Sequence, residues 1–159
     1  MPSQAMRQRR WLALCLLAAA IAAAALLLLP PARADKPAPA PAWAALSALQ
    51  DVRGQPASAH LQPGRPTLVK FWASWCPLCL SELQQTNDWA RDGQLGKVNL
   101  VSLASPGHLG EKASGAFERW YSRLEYPQLP VLLDHGGSIT QALGIRAYPS
   151  WALFDADGQ

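Results

Sequence analysis

The stretch FWASWCPLCLSEL (71–83) sets Cys76 and Cys79 two residues apart, between an apolar run and the start of a helical pattern. Upstream, GRPTLVKFW reads as a turn followed by a buried strand over Thr67–Trp72. Downstream, LCLSELQQTNDWARD carries apolar or small residues at 79, 80, 83, 86 and 90, which is helical spacing. Cys76 therefore falls where a strand hands over to a helix. A sulfur there lies near unpaired backbone N–H groups and the positive end of the helix dipole, which lowers its pKa and favours the thiolate. Pro77 suits the first helical turn, where a missing N–H costs nothing. Cys79, one turn further in, is expected to be more buried and placed to attack a mixed disulfide on Cys76.

Bare spacing also admits half of a zinc site or a structural disulfide. Zinc requires further ligands, yet there is no second cysteine pair, and His60, His108 and His135 show no ligand spacing. A structural disulfide closing so short a loop stabilises little. A redox couple leads the three readings.

The amino end sharpens this. Residues 1–10 hold Arg7, Arg9 and Arg10 and no acid, followed by 19 unbroken apolar residues (11–29) and then PPARAD. That pattern predicts a secretory signal over 1–34, cleaved after Ala34, or an uncleaved membrane anchor, since the run is just long enough to cross a bilayer. Either form exports the remainder, which predicts a periplasmic protein, held at the inner membrane if the segment stays. Cys15 lies inside the apolar run behind Leu14, which argues against a lipid anchor. The segment holds four of the 14 basic residues and none of the 11 acids, leaving ten basic against eleven acidic residues. The remaining chain has no basic stripe for nucleic acid and no polybasic membrane patch. Its only cysteines are Cys76 and Cys79, and in an oxidising compartment they meet each other or a partner protein.

Residues 35–42 (DKPAPAPA) predict a semi-rigid Pro/Ala linker, with the folded domain over 43–159. Further buried strands are expected at 98–104, 129–134 and about 150–154, with helices at 113–124 and 138–144. Strands alternating with helices predict an α/β fold, a mixed sheet with helices on both faces. The chain stops after the turn at Asp157–Gly158, where a hairpin partner strand is expected. The sequence thus reads as a truncated domain lacking a carboxyl-terminal strand and helix, with 150–154 as an unprotected edge.

WCxxC between a strand and a helix, with a later Gly-Ile-x-x-x-Pro, resembles the thioredoxin superfamily and its three-layer fold. The acid three residues after the second cysteine resembles its exported reducing branch, the TlpA/ResA-like proteins. KFWASWCPLCLSEL, LASPG, FERWYSRLEYPQLPV and GIRAYPSWAL, in that order, are together similar to the amino-terminal thioredoxin-like domain of PilB-type methionine sulfoxide reductases, over roughly 65–159. The resemblance implies Cys76 as attacking and Cys79 as resolving cysteine, and no cofactor beyond their redox-active disulfide. It implies Trp75 and Pro77 flanking the active surface, Pro149 as a cis-proline facing the disulfide, and Tyr148 shaping the substrate groove. Glu82 would assist proton transfer at the cysteines; the alternative is a solvated helix-surface glutamate. Lys70 departs from the pattern, because thioredoxin has a buried acid six residues before its first cysteine. Its charge either lowers a thiol pKa or extends to solvent, and the second reading leads.

The remaining candidates read as scaffold. Trp72, Trp89, Trp120 and Trp151 are expected in or near the core, Asp134 in a turn, and the histidines on the surface. Pro77-Leu78 lacks the histidine that strong oxidants of the superfamily carry between their cysteines. A less stabilised Cys76 thiolate predicts a reductant. Its expected partners are an inner-membrane thiol carrier upstream and a methionine sulfoxide reductase domain or another periplasmic disulfide downstream. Two alternatives are a cytochrome c maturation-type disulfide reductase and a copper-binding chaperone using the cysteines with His108 or His135. A peroxidase lacks its Pro-x-x-x-Thr-x-x-Cys motif.

Overall fold

A computed structural model describes residues 40–159. The expected signal or anchor over 1–34 and most of the expected linker lie outside these residues. Among the described residues, no helix is long and apolar enough to cross a membrane.

Helix α1 runs over Pro41–Ser47. Strand β1 covers Thr67–Phe71, followed by α2 (Pro77–Ser81), α3 (Leu83–Asp92), β2 (Asn99–Ala104) and α4 (Ser114–Tyr121). Strand β3 (Val131–Leu133), α5 (Ser138–Ala142) and β4 (Ser150–Phe154) complete the order. The linker reading over 35–42 is corrected at its end, because the first helix opens at Pro41 and not after residue 42. Proline there is pre-set for a helical φ, and the Ala40 N–H donates to the Gly158 carbonyl at 3.0 Å. Gly158 has φ +78°, and a Cβ on it would run into the Trp43 ring.

The sheet order is β3-β2-β1-β4. β1 pairs in parallel with β2 (Val69 opposite Val101), β2 in parallel with β3, and β1 antiparallel with β4 (Lys70 opposite Trp151). β1 is thus central and hydrogen-bonded on both sides. The two-residue period of a strand sorts its side chains to opposite faces. Val69 and Phe71 join Leu46, Val101, Leu103, Leu132, Ile139 and Phe154 in one core layer, closed by α1 and α5. The second layer gathers Trp72, Leu83, Phe117, Tyr121, Leu129 and both Cys76 and Cys79. Its centre is aromatic: Trp72 lies 5.8 Å from Phe117 and 6.1 Å from Tyr121 between ring centroids. Together these layers make the expected mixed sheet with helices on both faces, a thioredoxin-like fold.

Lys70 contradicts the reading that sent it to solvent. Its side chain is fully buried, on the sheet face that α3 covers. Nζ donates to Glu82 Oε2 at 2.7 Å and to Thr86 Oγ1 at 3.2 Å, and it sits 5.1 Å over the Trp151 ring. The reason is tertiary. β4 pairs against β1 and lays Trp151 over the lysine, so the stem has no route outward and the charge must be compensated inside.

Glu82→Gln leaves this ammonium buried without a counter-charge and should lower the unfolding free energy by about 3 kcal/mol. Lys70→Met leaves a carboxylate that can still reach water and should cost about 1 kcal/mol or less; equal losses in denaturant titrations would refute the asymmetry. Burial also raises the Tyr121 phenol from its ordinary value near 10 to about 12. The unfolded chain then loses this proton first as pH rises, so this contribution is intact below pH about 10 and disappears between about 10 and 12. Tyr121→Phe should flatten that alkaline loss in urea midpoints measured against pH.

Candidate functional site

The helical pattern after the cysteines resolves into two helices rather than one. α2 carries Cys79 and is capped at its end by Glu82, which has φ −93° and ψ −10° and leads directly into α3. Cys76 is the N-cap residue of α2, in extended conformation, and Pro77 occupies the first turn. The Cys79 N–H donates to Cys76 Sγ at 3.2 Å. A backbone donor aimed at this sulfur favours its ionised form once the bond is reduced.

Cys76 and Cys79 are joined by a disulfide, with Cα atoms 5.2 Å apart. Cys76 is 5% exposed and Cys79 0%, so an incoming group meets Cys76 first. Around the disulfide the surface is apolar: Trp75 is 50% and Leu78 59% exposed, and Pro77 is exposed between the cysteines. The Tyr148–Pro149 peptide bond is cis. Tyr148 packs against the layer that holds the cysteines, and its ring centroid lies 6.0 Å from that of Trp75. Burial raises the Tyr148 phenol, opposed by hydrogen bonds with Ser105 and Thr140. It is therefore a neutral hydroxyl at ordinary pH.

Two residues support this surface without an obvious mark in the sequence. Asp134 is buried and does more than form a turn. It accepts from the Ile139 and Thr140 amides at 3.0–3.2 Å, and from the Ser138 and Thr140 hydroxyls at 3.0 Å. Ser105 and Thr140 share a 2.8 Å hydrogen bond, so one carboxylate orders the hydroxyls against which Tyr148 sits. Glu111, also buried, accepts from the Ser74 amide and hydroxyl at 2.5 Å each and from the Lys112 amide at 2.7 Å. This ties the loop containing exposed Leu109 to the segment just before Cys76. Leu109 itself holds φ +45°. The signal available in the sequence was Gly107 and Gly110 flanking that loop.

Glu82 is brought to the site's inner side through Lys70, and its side chain is one third exposed. It is neither a freely solvated surface acid nor a buried one. The histidines are placed apart from one another's partners: His60 meets Asp51 at 2.9 Å and His135 Nδ1 meets Ser114 Oγ at 2.7 Å, while half-buried His108 packs beside Gly137. Among the described residues, no group of three or more His, Cys, Asp or Glu side chains is arranged to hold a metal ion. The copper reading, Cys76 and Cys79 with His108 or His135, finds no assembled ligand set.

The family model for redoxin matches residues 33–159. The solved N-terminal domain of PilB from Neisseria gonorrhoeae is 51% identical with a TM-score of 0.73, the match covering 76% of this chain and 80% of that one. An exposed lipoprotein thioredoxin of Streptococcus pneumoniae is 37% identical with a TM-score of 0.63, over 70% of this chain and 82% of that one. The thiol:disulfide interchange protein DsbE of Vibrio cholerae is 34% identical over 95 residues, 60% of this chain and 47% of DsbE. The chain thus spans about half the length of that curated relative. The redoxin match runs through every element that holds the disulfide, and the chain belongs to the redoxin family as a thiol–disulfide oxidoreductase of thioredoxin-like fold.

Proposed function

We propose that this protein is an exported dithiol reductant that passes electrons from an inner-membrane thiol carrier to the disulfide of a methionine sulfoxide reductase. The observation that carries the reading is the 51% identity to the PilB amino-terminal domain, in a chain whose paired cysteines cap and enter one helix. The likeness to an exposed lipoprotein thioredoxin, together with the apolar segment over 11–29, supports export.

In the reduced protein, the Cys76 thiolate attacks one sulfur of the target disulfide. The target S–S bond breaks, its far sulfur leaves as a thiolate that takes a proton from water, and a mixed disulfide forms on Cys76. Cys79 then gives up its proton and attacks the Cys76 sulfur, expelling the second target thiolate. Two electrons have moved to the target, and the Cys76–Cys79 bond is restored. Cys79 is fully buried, so its proton needs a nearby acceptor. Glu82, three residues on and partly exposed, is that acceptor in this reading. Trp75, Pro77 and Tyr148 form the apolar wall against which the target segment lies, with Pro149 facing the sulfurs.

The 34% identity to DsbE supports a second target within the same chemistry, the C-x-x-C-H disulfide of cytochrome c maturation. Both readings place the dithiol potential near the about −270 mV of thioredoxin.

Cys79→Ser should trap a covalent adduct with oxidised methionine sulfoxide reductase through Cys76, visible on non-reducing gels and by mass. Adding Cys76→Ser should abolish it. Comparing wild-type reduction rates for the sulfoxide reductase and for a C-x-x-C-H disulfide peptide decides the target. Faster reduction of the peptide, with no trapped reductase, would overturn the first assignment.

A further inference from the structure

Among the described residues, Lys70 is the one buried cation beside the redox helix, and the exchange chemistry leaves it without a role. Its ammonium has three hydrogens, and the surroundings occupy them in a directed way. One meets Glu82 Oε2 at 2.7 Å and a second meets Thr86 Oγ1 at 3.2 Å, leaving the ammonium's remaining side to the Trp151 ring, 5.1 Å away. Thr86 Oγ1 spends its own hydrogen on the Glu82 carbonyl at 2.8 Å, so it can only accept from the lysine. The ammonium therefore holds both the side chain and, through Thr86, the backbone of Glu82. Glu82 is the residue at which α2 ends and α3 begins, and its amide donates to the Cys79 carbonyl at 3.3 Å.

We propose that Lys70 is a positioning residue for the second half-reaction: it anchors the Glu82 carboxylate at the helix junction, ready to take the Cys79 proton. The inference rests on Glu82 acting as that acceptor, as set out above. In this step the Cys79 S–H proton passes to the Glu82 carboxylate, directly or through water. The resulting thiolate attacks the Cys76 sulfur, the target sulfur leaves with the electron pair of the broken bond, and Glu82 returns the proton to solvent. A cavity of about 320 Å³ lined in part by Lys70, Glu82, Thr86 and Trp151, together with the one-third exposure of Glu82, gives the carboxylate a side from which the proton leaves to solvent. Of the residues lining it from β1, α3, β4 and the helix junction, only Lys70 and Glu82 titrate. No second acid competes there for the lysine, and no second base for the proton. Removing the cation releases the carboxylate from the helix junction, so it is held less often where it can take the proton.

The two half-reactions separate optically with the aromatic disulfide 5,5′-dithiobis(2-nitrobenzoate). Attack by Cys76 releases one coloured thiolate, and attack by Cys79 on the mixed disulfide releases the second in a first-order phase. No physiological partner takes part, so failure of the sulfoxide-reductase reading leaves this test intact. In stopped flow between pH 5 and 8, Lys70→Met should leave the first phase unchanged. The second phase should slow by about tenfold. Glu82→Gln should slow the second phase by at least about tenfold at every pH. The double variant Lys70→Met/Glu82→Gln carries no uncompensated charge and serves if the single glutamine variant does not fold. It should resolve no more slowly than Glu82→Gln alone. A second-phase profile of Lys70→Met that coincides with wild type, while removing Glu82 changes it, would overturn the inference and leave Glu82 as acceptor. An unchanged second phase without the Glu82 carboxylate would overturn the acceptor itself, and the role of Lys70 with it.

Discussion

β1 is hydrogen-bonded on both edges and covered on both faces, and the rest of the fold is arranged around satisfying it. Most of its length does this as central strands usually do, with Val69 and Phe71 buried among aliphatic partners. Lys70 cannot, because an ammonium removed from water needs compensation comparable to what it loses. The fold supplies a carboxylate from the helix junction, a hydroxyl from α3 and an aromatic face from β4. One charge thus ties together the sheet, the end of the cysteine-bearing helix and the strand that follows Tyr148–Pro149.

The same junction explains how an ordinary disulfide becomes a reactive one. Cys76 caps a helix that lasts only to Ser81, so the stabilisation of its thiolate is local and comes from the Cys79 amide. Cys79 sits one turn deeper, fully enclosed, and must release a proton to act. Exposure and burial are therefore divided between the two sulfurs. Trp75, Leu78 and Tyr148 surround the outer one with apolar surface, which suits an approaching polypeptide better than a small hydrophilic thiol.

Two carboxylates hold that surface in place from behind. Asp134 fixes the hydroxyl pair next to Tyr148, and Glu111 fixes Ser74 two residues before Cys76. Both are buried and fully engaged, which makes them rigid supports in the sense that a buried acceptor left unpaired is costly. At Gly137, with φ +77°, a side chain would collide with His108, so the loop bearing His108 and Leu109 closes against the start of α5.

The sequence by itself determined the local chemistry. Cys76 at a strand–helix junction, Cys79 one turn on and Pro77 in the first turn follow from periodicity and spacing, because these depend on neighbours in the chain. The α/β alternation was legible for the same reason, with strand limits off by a residue or two. The tertiary structure alone decided the state of the polar residues. Lys70 reads as a solvent-reaching lysine until β4, about eighty residues later in the chain, folds back antiparallel and places Trp151 over it. Glu82 reads either as a proton handler at the cysteines or as a helix-surface acid, and its pairing with a buried cation is set only by the fold. Asp134 looks like a turn residue until Thr140 comes within hydrogen-bonding distance, and nothing local marks Glu111 before the fold brings Ser74 to it. Propensity and spacing are local, whereas burial and charge compensation are set by which distant segments the sheet brings together.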